Sequence, residues 1–256
     1  MPTSSPPTGA QTITRAVRAL KLIAEQPNGL RLTDLAEGLE LTQPTAHRLL
    51  QTLMSERMLL RDERTRRYTL GPLVFELGLA SNHHFNLRDI CMPILEGLAE
   101  RTGDTSFLFL RSGNDAVCLS RVQGNYPIQT PVVQIGSRQP LGVNAGGLAL
   151  LSCLSDAEVT RTLQAIAPRL GAYGELDTEE LRAHCARAQQ QGFAWIANKA
   201  APGVSALGLP IRSSTGTAIA AITVAATVER MNDGRVQEIL PLLREAAFEI
   251  TQLLRQ

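Results

Sequence analysis

The sequence predicts a two-domain α+β chain with an N-terminal winged helix-turn-helix, a linker helix, and a C-terminal antiparallel sheet flanked by helices. Its 256 residues are enough for two modest domains. Residues 30–67 read as a helix, a tight turn, a second helix and a basic hairpin. Residues 105–122 and 193–226 instead show the short apolar runs and turn signals of β-strands. These three observations predict the fold class.

Composition narrows the class of protein. Residues 1–10 are rich in Pro, Ser and Thr and lack the apolar core of a signal peptide, so we expect them to be disordered. No apolar run approaches the ~20 residues of a membrane span, and we expect a cytoplasmic, nucleoid-associated protein. No two cysteines have the spacing of a zinc or redox motif. We therefore expect no metal and no cofactor, and buried thiols at Cys91, Cys118, Cys153 and Cys185.

The N-terminal domain is expected to span residues 11–72. Turn chemistry at residues 26–29 separates the first helix from the next, and Thr33 or Asp34 is placed to cap the second helix. Pro44 in the first turn of the third helix costs no backbone hydrogen bond. The expected elements, in order, are helices over residues 11–25, 33–40 and 43–54 and strands over residues 58–61 and 68–70, with Leu41-Thr42 as the turn between the short helices.

The third helix has two unlike faces. Its apolar side is suited to packing and carries Ala46, Leu49, Leu50, Leu53 and Met54. Its polar side carries Gln43, Thr45, His47, Arg48 and Gln51. A helix of this length is ~18 Å long and fits the major groove. The pattern predicts that duplex DNA is the partner.

We expect particular side chains to contact DNA. Gln43, Thr45 and His47 are predicted nearest the bases, and Arg48, Arg66 and Arg67 nearer the phosphates. The full predicted set is Thr33, Gln43, Pro44, Thr45, His47, Arg48, Gln51, Arg66 and Arg67. In the alternative interpretation, Arg64, Arg66 and Arg67 are ordinary solvated hairpin charges, and His47 caps or packs locally.

Charge is distributed unevenly along the chain. Residues 1–72 hold ten Lys and Arg against seven Asp and Glu, a net +3. Residues 73–256 hold fifteen against seventeen, a net −2, so the whole chain carries +1. The positive excess lies with the predicted DNA-contacting helix, as nucleic-acid binding requires.

The rest of the sequence predicts a linker helix within residues 73–86 and a domain of sheet and helices over residues 87–256. Residues 112–115 separate two strands as a hairpin turn. Asn144 is placed to cap a following helix. The expected strands are residues 105–111, 116–122, 132–136, 193–196, 205–211 and 218–226, and the expected helices are residues 87–101, 145–154, 156–166, 178–191 and 236–254.

Several segments resemble the IclR (isocitrate lyase regulator) family of bacterial transcription factors. They include residues 14–20, 32–36, 44–50 and 67–71 in the first domain and residues 138–147, 191–193, 203–206 and 220–224 in the second. The resemblance covers about residues 11–254. It implies a winged helix, a linker helix and a GAF-like domain that binds a small effector. It also implies homodimers or homotetramers that repress or activate genes, with RNA polymerase as a further partner.

The effector pocket is expected around the start of the helix after Asn144. Backbone N–H groups there could receive a carboxylate, and the glycines would let a ligand approach closely. The resemblance places the pocket in the same segments. The predicted set is Leu141, Val143, Asn144, Ala145, Gly146, Gly147, Ser205, Ala206, Leu207, Gly208, Leu209, Thr223 and Ala225, and the expected effector is an organic or aromatic acid. Alternatively, Gly146 and Gly147 only allow close packing of helix on sheet.

Two functions other than a ligand-controlled regulator are compatible with parts of the sequence. The chain could be a constitutive DNA-binding oligomer whose second domain is purely structural. It could also be a hydrolase that uses Ser205, His184 and Asp177, but no nucleophile elbow surrounds any serine and no Walker-type loop is present. Within the family, acidic residues are usual after the Gly-Phe pair; here residues 196–199 read Ile-Ala-Asn-Lys, so no acidic effector contact or metal site is carried over.

Overall fold

The computed structural model describes residues 8–24, 26, 28–80, 86–213 and 216–254. It divides into two compact units, residues 1–85 and residues 86–256. The disorder expected for residues 1–7 lies outside the described residues, and residues 8–10 are helical. Among the described residues, no helix is both long and apolar enough to cross a membrane.

The first unit is a winged helix-turn-helix, as predicted. Its two strands pair antiparallel, with Leu60 opposite Thr69, and Leu30 forms an isolated bridge to Tyr68. The elements are α1 (Thr8–Ala24), α2 (Leu32–Gly38), α3 (Gln43–Ser55), β1 (Leu59–Arg61), β2 (Tyr68–Leu70) and α4 (Pro72–Ala80). Its buried core consists of Ala19, Ile23, Leu35, Leu39, Leu50, Leu53, Leu59 and Tyr68.

The cap of α2 differs from the prediction. The helix begins at Leu32, so neither Thr33 nor Asp34 is its N-cap. The Asp34 carboxylate instead lies inside the first turn and accepts a hydrogen bond of 3.1 Å from the backbone N–H of Arg31. An acidic side chain at this position satisfies a donor before the helix and favours its dipole. Asp34 therefore stabilises the helix start from within.

The second unit contains a six-stranded sheet in the order β5-β4-β3-β8-β7-β6, with every neighbouring pair antiparallel. This confirms the predicted α+β architecture. The strands are β3 (Thr105–Ser112), β4 (Asp115–Val122), β5 (Arg138–Pro140), β6 (Ala194–Ala197), β7 (Val204–Arg212) and β8 (Ala218–Thr227). The helices are α5 (Asn86–Thr102), α6 (Ala145–Leu151), α7 (Asp156–Leu170), α8 (Thr178–Gln191) and α9 (Asp233–Leu253).

The strand predicted over residues 132–136 is wrong. Residues 138–140 pair with β4 instead, where Val117 lies opposite Arg138. The Arg121 guanidinium donates to the carbonyl oxygens of Pro131 and Val133, at 3.0 and 3.3 Å. These carbonyls are thus satisfied by a side chain rather than by a sheet ladder. A turn with Gly136 at a φ of +85° then leads into β5.

Each face of the sheet is covered by helices. Helix α6 packs on β7 and β8 from one side, and α8 packs on β6. Helices α5 and α9 pack on β3 and β7 and on each other. The side chains on the two faces belong to separate apolar clusters. One cluster contains Phe107, Leu148 and Leu181. The other contains Leu108, Leu207 and Ile239.

A buried ion-pair network joins the end of α5 to the start of α9. The Asp104 side chain is only 1% exposed and accepts from Arg230 Nε at 2.7 Å and from Arg235 Nη2 at 3.0 Å. Both guanidinium groups also donate to the carbonyl oxygen of Thr102. Arg230 lies over the ring of Tyr126, with Cζ 3.7 Å from the centroid. One carboxylate therefore anchors two cations.

We predict that Asp104→Asn destabilises the second unit by about 3 kcal/mol, because it leaves two partly buried guanidinium groups without their counter-charge. Urea unfolding followed by the fluorescence of Trp195, the single tryptophan of the chain, measures the change. The control is Glu245→Gln. It breaks the exposed Arg101–Glu245 pair and should cost under about 0.5 kcal/mol. Equal effects of the two substitutions would contradict this account.

Candidate nucleic-acid interface and ligand cavity

Helix α3 buries one face and exposes the other. Ala46, Leu50 and Leu53 are buried. A shallow depression runs along the outer face, where the side chains of α3 meet the start of α2. It is lined by Leu32, Gln43, Pro44, His47 and Arg48. The structure therefore brings together, on one accessible surface, most of the residues predicted to contact DNA on this helix.

The polar side chains of this face make few internal contacts. Thr45 is half-buried, and its Oγ1 lies 3.0 Å from Oγ1 of Thr42. His47 Nε2 lies 3.4 Å from Nε2 of Gln51 one turn later, and both residues are exposed. Thr33 is exposed on α2 and donates to Asp34 Oδ1 at 3.3 Å. These contacts orient the side chains without covering them.

The wing tip is organised by one carboxylate. Asp62 Oδ1 accepts from the backbone N–H of Thr65 at 2.6 Å and from its hydroxyl at 2.8 Å. These two hydrogen bonds, that from the backbone N–H foremost, hold the pKa of Asp62 below its ordinary value. Arg66 follows with a φ of +59° and an exposed side chain. The tip thus presents Arg66 to solvent on a defined turn.

Arg67 makes a contact within the protein that the sequence did not predict. Its Nη1 donates to the carbonyl oxygen of Gly29 at 2.7 Å, and the residue is half-buried. Through this donor the guanidinium links the wing to the loop before α2, and its contact with a phosphate stays a prediction. A charged donor to a backbone oxygen also helps to fix the wing.

The second unit contains a cavity between α6 and the sheet. Its volume, counted with the open mouth, is about 390 Å³. The strands supply its floor, the start of α6 one wall, and the loop after β4 and the turn after β6 the remainder. The lining residues are Phe107, Phe109, Val132, Val133, Asn144, Ala145, Ile196, Lys199, Ala200, Val204, Ala206, Thr223 and Ala225.

Five of the predicted pocket residues line this cavity, and three lie on the far side of the sheet. Successive strand residues point to opposite faces. Because Ala206 of β7 faces the cavity, its neighbours on the strand face α5 and α9, and Leu207 and Leu209 belong to the apolar cluster there. Ser205 accepts a hydrogen bond of 2.9 Å from Trp195 Nε1. The lining residues already predicted are Asn144, Ala145, Ala206, Thr223 and Ala225; those on the other face are Ser205, Leu207 and Leu209.

The predicted glycines serve close packing. A Cβ on Gly146 would lie 2.4 Å from Cδ2 of Phe109, and one on Gly208 would lie 2.5 Å from the carbonyl oxygen of Ala145. A Cβ on Gly147 would lie 2.9 Å from the backbone nitrogen of Gly142. Leu141 and Val143 are fully buried and do not line the cavity. Gly146 and Gly208 therefore let α6 lie close to the sheet, as the alternative interpretation held for Gly146, whereas Gly147 lets α6 lie close to the loop before it.

Sequence reasoning missed the other lining residues. Phe107 and Phe109 alternate along β3, a signal that the two-residue period could have assigned to the face of Thr223. Val132 and Val133 were assigned to a strand that does not form. Lys199 and Ala200 lie in an irregular turn after β6, for which no periodicity exists. Lys199 is the one charged residue of the lining.

The polar groups of the cavity differ in how far they are already paired. Asn144 caps α6, as predicted: its Oδ1 accepts from the N–H of Gly147 at 2.7 Å, and its Nδ2 donates to Gln139 Oε1 at 2.7 Å. The Thr223 side chain is almost fully buried on β8. Lys199 Nζ contacts Glu180 and the carbonyl oxygen of Gly174. An apolar chamber with a few polar groups suits a small organic ligand.

The structure does not bring Ser205, His184 and Asp177 together as a hydrolase triad would require. Asp177 caps α8 by accepting from the N–H of Glu180 at 2.8 Å, and His184 pairs with Glu180 at 3.4 Å. Ser205 instead accepts its hydrogen bond from Trp195.

Within the described part of the chain, no group of three or more His, Cys, Asp or Glu could hold a metal ion. Burial raises the pKa of the Cys91 and Cys118 thiols to about 12 and that of Cys185 to about 11.

Comparison with known proteins matches both units. Residues 12–63 match the model of the IclR helix-turn-helix domain, and residues 79–252 match the model of the bacterial transcriptional regulator IclR C-terminal domain. The chain is 27% identical to the transcriptional repressor IclR of Escherichia coli K12 over 97% of this chain and 92% of that protein. It is 29% identical to the regulator BhcR of Paracoccus denitrificans over 95% and 87%.

A solved structure agrees in fold. It is that of an IclR homologue from Microbacterium hydrocarbonoxydans complexed with 4-hydroxybenzoate, at 25% identity and a TM-score of 0.77, covering 95% of this chain and 98% of that one. The relatives are transcriptional regulators and repressors. The chain accordingly groups with regulators, not enzymes.

We predict that Gly208→Ala destabilises the second unit by about 1–3 kcal/mol, because the added methyl group meets the backbone oxygen of Ala145 and pushes α6 off the sheet. The measurement is urea unfolding followed by Trp195 fluorescence. Gly97→Ala is the control. Gly97 lies in the interior of α5, and nothing lies within 4 Å of the Cβ that the substitution adds. Because alanine favours a helix more than glycine does, this variant should raise the free energy of unfolding by about 0.5–1 kcal/mol. A neutral Gly208→Ala would show that the close approach is not needed.

Proposed function

The chain belongs to the IclR family of bacterial transcriptional regulators, and we propose that it reads operator DNA through the exposed face of α3 and the tip of the wing. The observation that carries this proposal is the pairing of a buried apolar face with an open polar face on one helix. Gln43, Thr45 and His47 are the base-reading candidates, with Gln51 and Pro44 beside them. Arg48 and Arg66 are the phosphate-binding candidates, and Thr33 marks the edge of the surface.

The chain divides into functional regions in this proposal. Residues 11–72 form the DNA-binding domain, and residues 73–86, which hold all of α4 but its first residue, serve as the linker. Residues 87–256 bind the effector and contribute to oligomerisation. With chromosomal DNA as its target, the protein works at the nucleoid in the bacterial cytoplasm.

The proposed effector is an organic or aromatic acid bound in the cavity between α6 and the sheet. Phe107, Phe109 and the valines of the loop after β4 would pack on an apolar body, and the hydroxyl of Thr223 would meet a polar group. A related regulator of similar fold binds 4-hydroxybenzoate. That ligand combines an apolar ring with polar groups, as the lining of this chamber combines apolar and polar side chains.

A second copy of the chain is the proposed partner on DNA. Operators are read by dimers whose two helices lie about one turn (~34 Å) apart or more. In the first unit, α1 exposes Ile13 and Val17, which lie one turn apart, and α4 exposes Phe75 and Leu77. Exposed apolar side chains of this kind mark interaction surfaces. We propose that α1 and α4 pair two DNA-binding units, while the second units allow dimers to pair into tetramers.

Effector and operator are proposed to be coupled. An effector that prefers one arrangement of the second units would change the spacing of the two α3 helices through the linker helix. A coupling free energy of ~1–3 kcal/mol would change operator affinity 5–150-fold. Regulation could equally act on a contact with RNA polymerase, in which case the ligand changes transcription but not operator affinity.

Substitutions on α3 should separate phosphate contacts from base contacts. We predict that Arg48→Ala weakens binding to all duplexes and lowers the slope of log K against log salt by about one, whereas Gln43→Ala costs ~1–3 kcal/mol at one base pair and keeps the slope. Fluorescence anisotropy with promoter fragments provides both values. Arg161→Ala removes the same charge from an exposed position of α7 in the second unit. It should change neither the affinity for DNA nor the salt slope. An unaltered affinity for both α3 variants would refute the interface.

Disrupting the α1 surface should weaken pairing. We predict that Val17→Glu increases the dissociation constant of the oligomer and lowers operator affinity at least tenfold, because a carboxylate would be buried between two copies. Sedimentation velocity and anisotropy measure these quantities against the monomer mass of 27.7 kDa. Gln11→Glu, which adds the same charge on the opposite side of α1, should leave both unchanged. Normal pairing by Val17→Glu would place the dimer contact elsewhere.

A further inference from the structure

The shallow depression on the outer face of α3 has an apolar side among its polar residues. Of its five lining residues, Gln43, His47 and Arg48 are polar and exposed, whereas Leu32 and Pro44 are apolar. Pro44 is exposed, and Leu32 is half-buried. Two apolar side chains therefore lie together on the surface that the proposed function turns towards DNA, and neither can recognise a base by a hydrogen bond.

The starts of two helices bring these side chains together. Leu32 is the first residue of α2, and Pro44 is the second residue of α3. The Leu32 side chain also packs against the core of the first unit, which fixes its position. The ring of Pro44 restricts its φ and presents only carbon atoms to its surroundings. The apolar side of the depression is thus built from both helices and has little freedom to move.

The major groove of unmodified DNA offers one apolar group at its base edges. Those edges carry hydrogen-bond donors and acceptors, except for the C5-methyl group of thymine. A shallow, open depression suits a group that protrudes from a broad surface, whereas a small ligand is usually enclosed. A methyl group placed against Leu32 and Pro44 removes apolar surface of both partners from water, which is favourable. A phosphate placed there would lose hydration without gaining a donor.

We propose that Leu32 and Pro44 form a contact site for the C5-methyl group of one thymine in the operator, and thereby set a preference for an A·T pair at that position. Gln43 and His47, which border the site, would hydrogen-bond the edges of neighbouring bases, and Arg48 would approach the backbone. This inference rests on the proposed reading of operator DNA by α3. It adds a residue of α2, Leu32, to the DNA-contacting set and specifies the group that Pro44 recognises.

The alternative is that Leu32 serves only the core of the first unit and that Pro44 serves only the start of α3. Both of these roles affect the stability of the unit, and through it the affinity for every duplex alike. Neither role depends on whether one pyrimidine carries a methyl group. The ratio of the affinities for thymine-containing and uracil-containing operators therefore separates the proposed contact from a structural role.

The test replaces single thymines of the operator by uracil, which deletes only the methyl group and keeps the base pairing. Footprinting of the full-length protein on its own promoter first locates the operator, and each thymine of the protected sequence is then replaced in turn. Fluorescence anisotropy measures the affinity for each duplex. For the unsubstituted chain, we expect at least one thymine at which uracil lowers the affinity about three- to tenfold.

Variants of the protein show whether the two residues make that contact. In Leu32→Ala and in Pro44→Ala, the ratio of affinities at that thymine should fall at least twofold, and in the double variant it should approach one. Because Pro44 is exposed, Pro44→Ala tests the contact even where Leu32→Ala destabilises the unit. Leu22→Ala is the matched control. Leu22 of α1 is also half-buried against the core of the first unit but lies outside the depression, so the ratio should not change.

The outcomes separate this inference from the proposed function on which it rests. No effect of uracil at any protected thymine, or a uracil penalty that persists undiminished in either single variant, would overturn the thymine contact while sequence-specific binding stands. A penalty lost equally in Leu22→Ala would also overturn it, because the loss would then follow from general damage to the unit. Equal affinity for the promoter and a scrambled duplex would overturn the proposed reading of DNA together with this inference.

Discussion

The burial of one face of α3 is the interaction on which the proposed DNA-binding surface depends. Leu50 and Leu53 pack into a core shared with α1, α2 and the wing, and Ala46 of the same helix is also buried. A helix of 13 residues is marginal on its own in water, so this packing is what keeps it formed. Because 3.6 residues make a turn, the same contacts turn Gln43, His47 and Arg48 outward.

A second constraint, the alternation of side chains along a strand, decides which residues line the cavity. On β7, Val204 and Ala206 face the cavity while Leu207 and Leu209 pack under α5 and α9. The sheet therefore separates two tasks. One face and its helices form an apolar core, and the other leaves a chamber beside α6 whose character is set by few polar groups.

The elements that the sequence predicts correctly are those whose apolar residues recur at the spacing of a helix or a strand. Helical spacing identified α3 and its two faces, and the cap of α6 by Asn144 followed from residue type and position. Prediction failed where long-range contacts decide. Arg121 satisfies carbonyls that a strand would have used, and Lys199 lines the cavity from an irregular turn. No local pattern records such contacts, because each partner lies 10 or more residues away or in another element.

The central claim is that the open face of α3 lies against nucleotide bases. Its most direct measurement is the affinity of the purified protein for its own promoter fragment and for a scrambled duplex over a salt series. The account predicts tighter binding to the promoter by a factor of about 10³ or more, with affinity that falls steeply as salt rises. Equal affinity for the two duplexes, or affinity indifferent to salt, would contradict it.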